Sequence, residues 1–277
     1  MSKRTPKPTA AKGKPWANGD GGKVRLFMLQ YAPGKKLFQM IVKLSDAPGS
    51  YRSILDLLSS RVNLVGTSTY SLEDGTAIFS GVSEALSKKE TAEGLKALIL
   101  SSKAAMDAEV REGRDGLLVD TFHSGPEIRG ESYMLFSREG HRHMFTQIVR
   151  MLGSGGETLL FNEGEMLGRM SAQSLTTLLG PKRMREEVPY LAHFITARGW
   201  GKVEMDPGAA GPLTRITVSN CFECAGESTS RSGCSFFRGY FTGAGSVVDG
   251  SQVIVKETKC KFKGAPACEF VATRAQS

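Results

Sequence analysis

Glu257, Cys260, Gly264 and Cys268 follow one another at intervals of three, four and four residues, and no other stretch restricts the fold of this chain so tightly. The run SQVIVKE (251–257) reads as a strand ending at Glu257, with Cys260 in the turn beyond it. Gly264 and Pro266 reverse the chain, and ACEFVAT (267–273) returns as a second strand carrying Cys268. A hairpin of this shape gathers Glu257, Cys260 and Cys268 at one end of a sheet. Cys234, at the head of the helical run CSFFRGYFTGAG, is placed to reach the same point. Three thiolates and one carboxylate fill the four positions of tetrahedral zinc, and a site with no position left for water is structural rather than catalytic. The other two of the five cysteines, Cys221 and Cys224, form a Cys-x-x-Cys pair that offers a four-thiolate set with Cys260 and Cys268. An odd cysteine count disfavours disulfides, and plain buried thiols complete the readings.

The charge is as unevenly spread as the sulfur. Residues 1–36 hold nine lysines and arginines against one aspartate, which accounts for the whole formal charge of +8. Residues 1–22, rich in Pro, Gly, Lys and Ala, have little to bury and read as a disordered basic tail. Such a tail serves as a solvated extension or as a weak electrostatic contact for nucleic acid or another anionic surface. It has no apolar segment of the signal-peptide kind, and no window approaches about 18 apolar residues, so no membrane span is expected. The expected location is cytoplasmic, with reduced thiols.

The first half alternates in a recognisable order. KLFQMIVKL (36–44) is a strand, Asp46 and Pro48 open a helix with Tyr51, Ile54, Leu55 and Leu58 on one face, and two strands follow at 62–72 and 75–85. A helix over 88–101 and a strand over 104–113 complete βαββαβ, with 116–122 extending the last strand. This is the ferredoxin-like plan. The stretch IVKLSDAPGSYRSILDLLSSRVNLVGTSTYS resembles the opening of an ACT domain, with its strand, Asp-x-Pro-Gly turn, helix and Asn at the second strand. The resemblance implies pairing into homodimers through the sheets and amino-acid binding at Pro48, Gly49, Ser50 and Asn63; the alternative is that Pro48 and Gly49 only shape the turn.

The expected division is the tail 1–22, an ACT-like domain 23–120, a linker 121–132 broken by Gly125, Pro126 and Gly130, and a second domain 133–273. In the second domain a helix over 141–152 is expected, then a turn GSGG, a strand ETLLF (157–161) and a helix over 164–179 with Leu167, Met170, Leu175 and Leu178 inward. A third helix over 183–198 and strands near 201–205 and 213–219 lead to the cysteines. GSGG lies between helix and strand in the reverse order to a phosphate loop, and GAGSVVDG lacks dinucleotide-fingerprint spacing. His141 and His143 read as surface residues, and His193 as a core or pocket residue. Gly239 and Gly243 read as small residues that let their helix pack closely on the sheet.

CSFFRGYFTG followed by IVKETKCKFKGAPACEFVA closely resembles the C-terminal signature of 4-vinyl reductase (V4R) domains. That resemblance implies a Cys-Glu-Cys-Cys zinc site, here Cys234, Glu257, Cys260 and Cys268, a pocket for small aromatic molecules, and a fold akin to TRAPP vesicle-tethering subunits. The fold class is therefore α+β: a ferredoxin-like domain, then an α/β domain with an antiparallel sheet and a zinc-clasped C-terminal hairpin. Phe145, Tyr190, His193, Trp200, Phe237 and Tyr240 are the candidate lining, being aromatic with a few polar handles. The expected function is a non-enzymatic regulatory protein that senses a small molecule and signals to a protein partner. The alternatives are reduction of a vinyl group, for which no dinucleotide or flavin motif is evident, and service as an assembly subunit.

Overall fold

The computed structural model describes residues 26–128, 130–186, 188–207, 214–224 and 233–275; the basic tail, residues 1–22, lies outside them. The chain divides into two compact units between Tyr133 and Met134.

In the first unit β1 (Leu29–Tyr31) and β2 (Leu37–Ser45) precede α1 (Ser50–Leu58), β3 (Val62–Ser71), β4 (Thr76–Ala85), α2 (Ala92–Leu100), β5 (Ala105–Glu112) and β6 (Leu117–Val119). Strand order β3-β4-β2-β5, antiparallel throughout, is the ferredoxin-like arrangement. Alternation along β2 turns Phe38, Met40, Val42 and Leu44 to one face, where Ile54 and Leu58 of α1 and Leu95 and Ile99 of α2 cover them. Each such side chain contributes roughly 1.5–3 kcal/mol by burial. Residues 116–122 do not extend β5. Asp115 (φ 51°) and Gly116 (φ 76°) both take left-handed backbone, the requirement of a tight hairpin turn, and the reversal sends β6 to pair with β1. Gln39, buried on the other face of β2, donates to Asp120 (2.6 Å) and accepts from the Thr121 amide (3.2 Å). A two-residue-a-side hairpin, β7 (Glu127–Ile128) and β8 (Glu131–Ser132), follows.

The second unit opens with α3 (Arg138–Leu152) and α4 (Ser154–Leu179), then α5 (Pro181–Glu186), α6 (Val188–Ala197), β9 (Lys202–Pro207), β10 (Thr214–Ser219), α7 (Ser235–Asp249), β11 (Val253–Lys259) and β12 (Cys268–Arg274). Its antiparallel sheet runs β11-β12-β10-β9. Three expectations fail here. ETLLF is not a strand: Gly153 (φ 55°) ends α3, Glu157 favours the first turn of a new helix, and Leu160 joins a buried stripe at four-residue intervals through Gly156, Gly164, Gly168 and Ala172. The inward face of α4 is therefore that stripe, and Met170 and Leu178 are exposed. The helix expected over 183–198 is two helices, α5 and α6.

The stripe explains why α4 is rich in glycine. A Cβ on Gly164 would stand 2.1 Å from the Phe236 carbonyl oxygen, and one on Gly168 would stand 2.0 Å from that of Tyr240. The contact is reciprocal: a Cβ on Gly239 would meet the Phe161 carbonyl at 1.9 Å, and one on Gly243 that of Glu165 at 2.0 Å. So Gly239 and Gly243 do allow close packing, but against a helix and not, as expected, the sheet. The consequence is positional, because the crossing fixes α7 and hence Cys234 at its head.

Candidate metal centre

Four elements converge on the sulfurs. Cys221 and Cys224 follow β10, Cys234 is the residue before α7, Cys260 follows β11, and Cys268 begins β12; all five are buried. Asn220, with positive φ (52°), turns the chain inward after β10. In a regular strand Glu257 and Cys260, three residues apart, would face opposite sides. An irregularity between Glu257 and Lys259 adds a residue to β11 and resets the alternation, so Val253, Val255, Glu257 and Cys260 face the interior while Lys259 is exposed. A short 3-10 turn (Lys261–Lys263) closed by Gly264 at φ 85° then returns the chain to Cys268, whose sulfur accepts from the Lys261 amide at 3.5 Å.

Two overlapping quartets result, each with its ligand atoms within 4.8 Å of one another: Cys234, Glu257, Cys260 and Cys268, and Cys221, Cys224, Cys234 and Cys268. The first is the set read from the sequence. The second differs from the expected four-thiolate set, since Cys221 and Cys224 join Cys234 and Cys268 rather than Cys260 and Cys268. Sγ separations are 3.8 Å for Cys221–Cys234, 2.8 Å for Cys224–Cys234, 3.5 Å for Cys224–Cys260, and 3.6 Å for both Cys234–Cys268 and Cys224–Cys268. A disulfide needs about 2.05 Å, whereas tetrahedral sulfurs about 2.3 Å from one zinc stand about 3.8 Å apart.

The carboxylate fits a cation as well as the thiols do. Glu257 Oε2 accepts from the Cys234 amide at 3.0 Å, but Oε1 is buried and has no hydrogen-bond partner among the described residues. An orphaned buried carboxylate oxygen is costly unless a cation or donor meets it. Hydrogen bonds from neighbouring thiols, that of Cys221 first, hold Cys268 well below the usual thiol range, while burial pushes Cys221 up. Cys268 is, with Cys234, one of the two sulfurs that both quartets contain. The sequence reading missed a second carboxylate. Glu223, fully buried between Cys221 and Cys224, accepts from the Phe236 and Phe237 amides, both at 3.1 Å, and so caps α7. Its signal is an acid inside a Cys-x-x-Cys pair, twelve residues ahead of α7.

The aromatic candidates partly assemble beside this centre. Phe145, Trp200, Phe237 and Tyr240 pack into one cluster with Phe222 and Phe236; Trp200 meets Tyr240 at 5.2 Å and Phe236 at 5.5 Å between ring centroids, both edge-on. His193 is exposed on α6, and the side chain of Tyr190 lies outside the described residues. His141, expected at the surface, instead joins the cluster, 4.8 Å from Phe145 and 5.5 Å from Phe222. A cavity of about 350 Å3 next to the centre is lined by Arg238, Lys256 and Lys263 together with Cys234 and Glu257. In the first unit Gly49 takes left-handed backbone (φ 91°) before α1, and the buried Ser50 hydroxyl meets that of Ser45 at 3.0 Å. Asn63 does not join them: it pairs with Glu84, which pairs with Leu37, whereas the Pro48–Ser50 turn follows Ser45 at the other end of β2.

Burial lowers the pKa of His141 from its ordinary 6.5, so the folded chain favours the neutral ring. Its contribution to stability is complete above pH 6.5 and is lost as pH falls through that value toward the depressed one. The melting temperature of wild type should therefore fall relative to that of His141→Phe as pH is lowered from 7.5 to 5.5. Parallel pH profiles would assign the acid sensitivity to other groups.

Residues 214–274 match the V4R domain model, a span that contains all five cysteines and Glu257. No curated protein matches the chain. Similar solved structures include the phenol-responsive sensory domain of the transcription activator PoxR with phenol, at 15% identity, covering 82% of this chain and 92% of that one, TM-score 0.40. A vinyl-4-reductase family protein from Methanocaldococcus jannaschii is 21% identical over 53% of this chain and 85% of its own, TM-score 0.38. A trafficking protein particle complex subunit 3 from Naegleria fowleri, covalently bound to palmitic acid, is 14% identical over 50% and 95%, TM-score 0.41. No helix among the described residues is long and apolar enough to cross a membrane.

Proposed function

We propose that this chain, which carries a V4R domain over residues 214–274, is a non-enzymatic sensor whose second unit binds a small aromatic molecule beside a structural zinc centre. One observation carries the reading: the aromatic cluster is continuous with the cysteines. Phe222 directly follows Cys221, and Phe236 and Phe237 lie on the first turn of α7 after Cys234, with their amides held by Glu223. Edge-on rings present both faces and edges to an aromatic guest, and His141, Trp200 and Tyr240 supply polar atoms. A guest lodged among Phe145, Trp200, Phe237 and Tyr240 would shift rings tied to the metal ligands, so guest binding and the packing of the centre would change together. For the first unit we propose pairing with a second copy. Because Asn63 and the Pro48–Gly49–Ser50 turn lie at opposite ends of one sheet, an amino acid touching all four would have to lie between two chains.

The test is a thermal-shift screen of the zinc-loaded chain against phenols, indoles and amino acids, with aliphatic alcohols as controls. At about 100 times its Kd, a ligand of the folded state adds about 2.7 kcal/mol. For a unit of this size that is a rise in Tm of about 5–10 °C. The expected result is such a rise with an aromatic compound and none with alcohols of similar size. Failure of every aromatic compound to move either Tm or tryptophan emission would overturn the sensor reading.

A further inference from the structure

The cavity beside the cysteine centre gathers charge that neither the metal ligands nor the aromatic cluster uses. It measures about 350 Å3, and three cations line it, each delivered by a different element: Arg238 by the first turn of α7, Lys256 by β11 and Lys263 by the 3-10 turn. Among the described residues on its wall the one carboxylate is Glu257, whose Oε2 accepts from the Cys234 amide at 3.0 Å. Arg238 is half-buried, and its Nε is buried with no hydrogen-bond partner among the described residues. A guanidinium N–H so placed costs free energy until an acceptor meets it. The group is also held in place. It lies over the Phe161 ring of α4, 5.2 Å from the centroid, one residue before Gly239, where α7 and α4 cross at backbone contact. Lys256 and Lys263 are exposed and pair with no carboxylate among the described residues, whereas nearby Lys259 is matched by Glu269 at 3.2 Å.

We infer that this cavity binds a phosphate group, either free or as the ester of a small molecule. The charge on its wall selects an anion, and three cations call for more than a single negative charge. Shape selects among anions. Donors arriving from a helix, a strand and a turn match a tetrahedral anion, whose acceptor oxygens point to every side, better than a planar carboxylate. The Arg238 guanidinium supplies a two-pronged contact and each lysine a point charge. The first amides of α7 are already taken, those of Phe236 and Phe237 by Glu223 and that of Cys234 by Glu257, so the site is built of side chains. Pockets for small ligands begin at about 300 Å3, so a phosphate and a short organic part fit together here. The bound anion ties α7 to the β11–β12 hairpin from outside the cysteines, joining the same two elements that the centre joins from within.

The experiment is calorimetric titration of the full zinc-loaded chain, freed of excess zinc, with inorganic phosphate, glycerol phosphate and succinate at an ionic strength fixed by chloride. One phosphate group is expected to bind per chain, with succinate at least about tenfold weaker. Arg238→Leu keeps an apolar side chain against Phe161, and Lys256→Ala/Lys263→Ala alters only exposed positions. Each is expected to weaken phosphate binding by about tenfold or more. Tighter binding of glycerol phosphate than of phosphate would support an ester as the ligand, and the reverse order the free ion. No saturable binding, or a Kd that neither variant changes, would overturn the site. Succinate binding as tightly as phosphate would overturn the assignment to phosphate. The lysine variant keeps the test decisive should Arg238→Leu fail to fold. Failure here would leave the aromatic sensor standing, since the aromatic screen uses different ligands and different residues.

Discussion

Cys268→Ala should empty the centre and unfold the second unit. Its sulfur belongs to both quartets, so no complete set of four survives its loss. It is also fully buried at the start of β12, paired with Val218 of β10, so its removal acts where the hairpin joins the rest of the sheet. Magnitude separates the metal effect from simple truncation. Deleting one buried sulfur from a packed site costs on the order of 1–2 kcal/mol, as other small core deletions do. A structural zinc site contributes about 10–16 kcal/mol to folding in small metal-dependent domains, as much as the whole stability of a typical domain. Metal analysis and circular-dichroism melting of wild type, Cys268→Ala and Cys260→Ser would decide it. The expected order is retained fold and metal in wild type, weakened binding in Cys260→Ser, which breaks one quartet, and loss of both metal and the cooperative transition in Cys268→Ala. A metal-free Cys268→Ala that melts within a few degrees of wild type would show that packing, not metal, holds this sheet.

The first unit was readable in detail because its elements are short, strongly patterned and punctuated by turn residues; β2 through β5 lie within two residues of the expected strands. The exception, residues 116–122, shows what pattern reading lacks. An apolar run after a strand looks like its continuation unless the intervening Asp115-Gly116 is recognised as a hairpin turn. In the second unit the hairpin and its ligand spacing were legible because spacing survives without long-range knowledge. The inward face of α4 was not. Hydrophobicity points to Met170 and Leu178, but the element opposite is another helix approaching at backbone distance, and at Gly164 and Gly168 only glycine can face it. Which thiol completes the second quartet was equally hidden, since it depends on where the α4–α7 crossing sets Cys234. Residue types announced a cluster able to hold a metal ion, while which side chains fall together is a tertiary fact.

That crossing carries the other large expected effect. Gly168→Ala adds a single carbon, yet it would stand 2.0 Å from the Tyr240 carbonyl oxygen and 2.8 Å from its carbon, both backbone atoms that cannot rotate aside. The helices would have to separate by more than an ångström, dislodging Tyr240 from Trp200 and moving Cys234 at the head of α7. Overpacking a core costs typically 1–3 kcal/mol, and a clash of backbone with Cβ belongs at the upper end, so about 3 kcal/mol is expected. The same substitution at Gly155, in the first turn of the same helix, meets nothing within 4 Å. There alanine relieves the entropic cost of glycine, and stability should rise by up to about 1 kcal/mol. Two chemically identical changes thirteen residues apart thus receive opposite signs from one structure. Denaturant unfolding of both variants reads the difference directly. Equal effects, or a tolerated Gly168→Ala, would mean that α4 and α7 do not cross at backbone contact, and the placement of Cys234 among the ligands would lose its structural support.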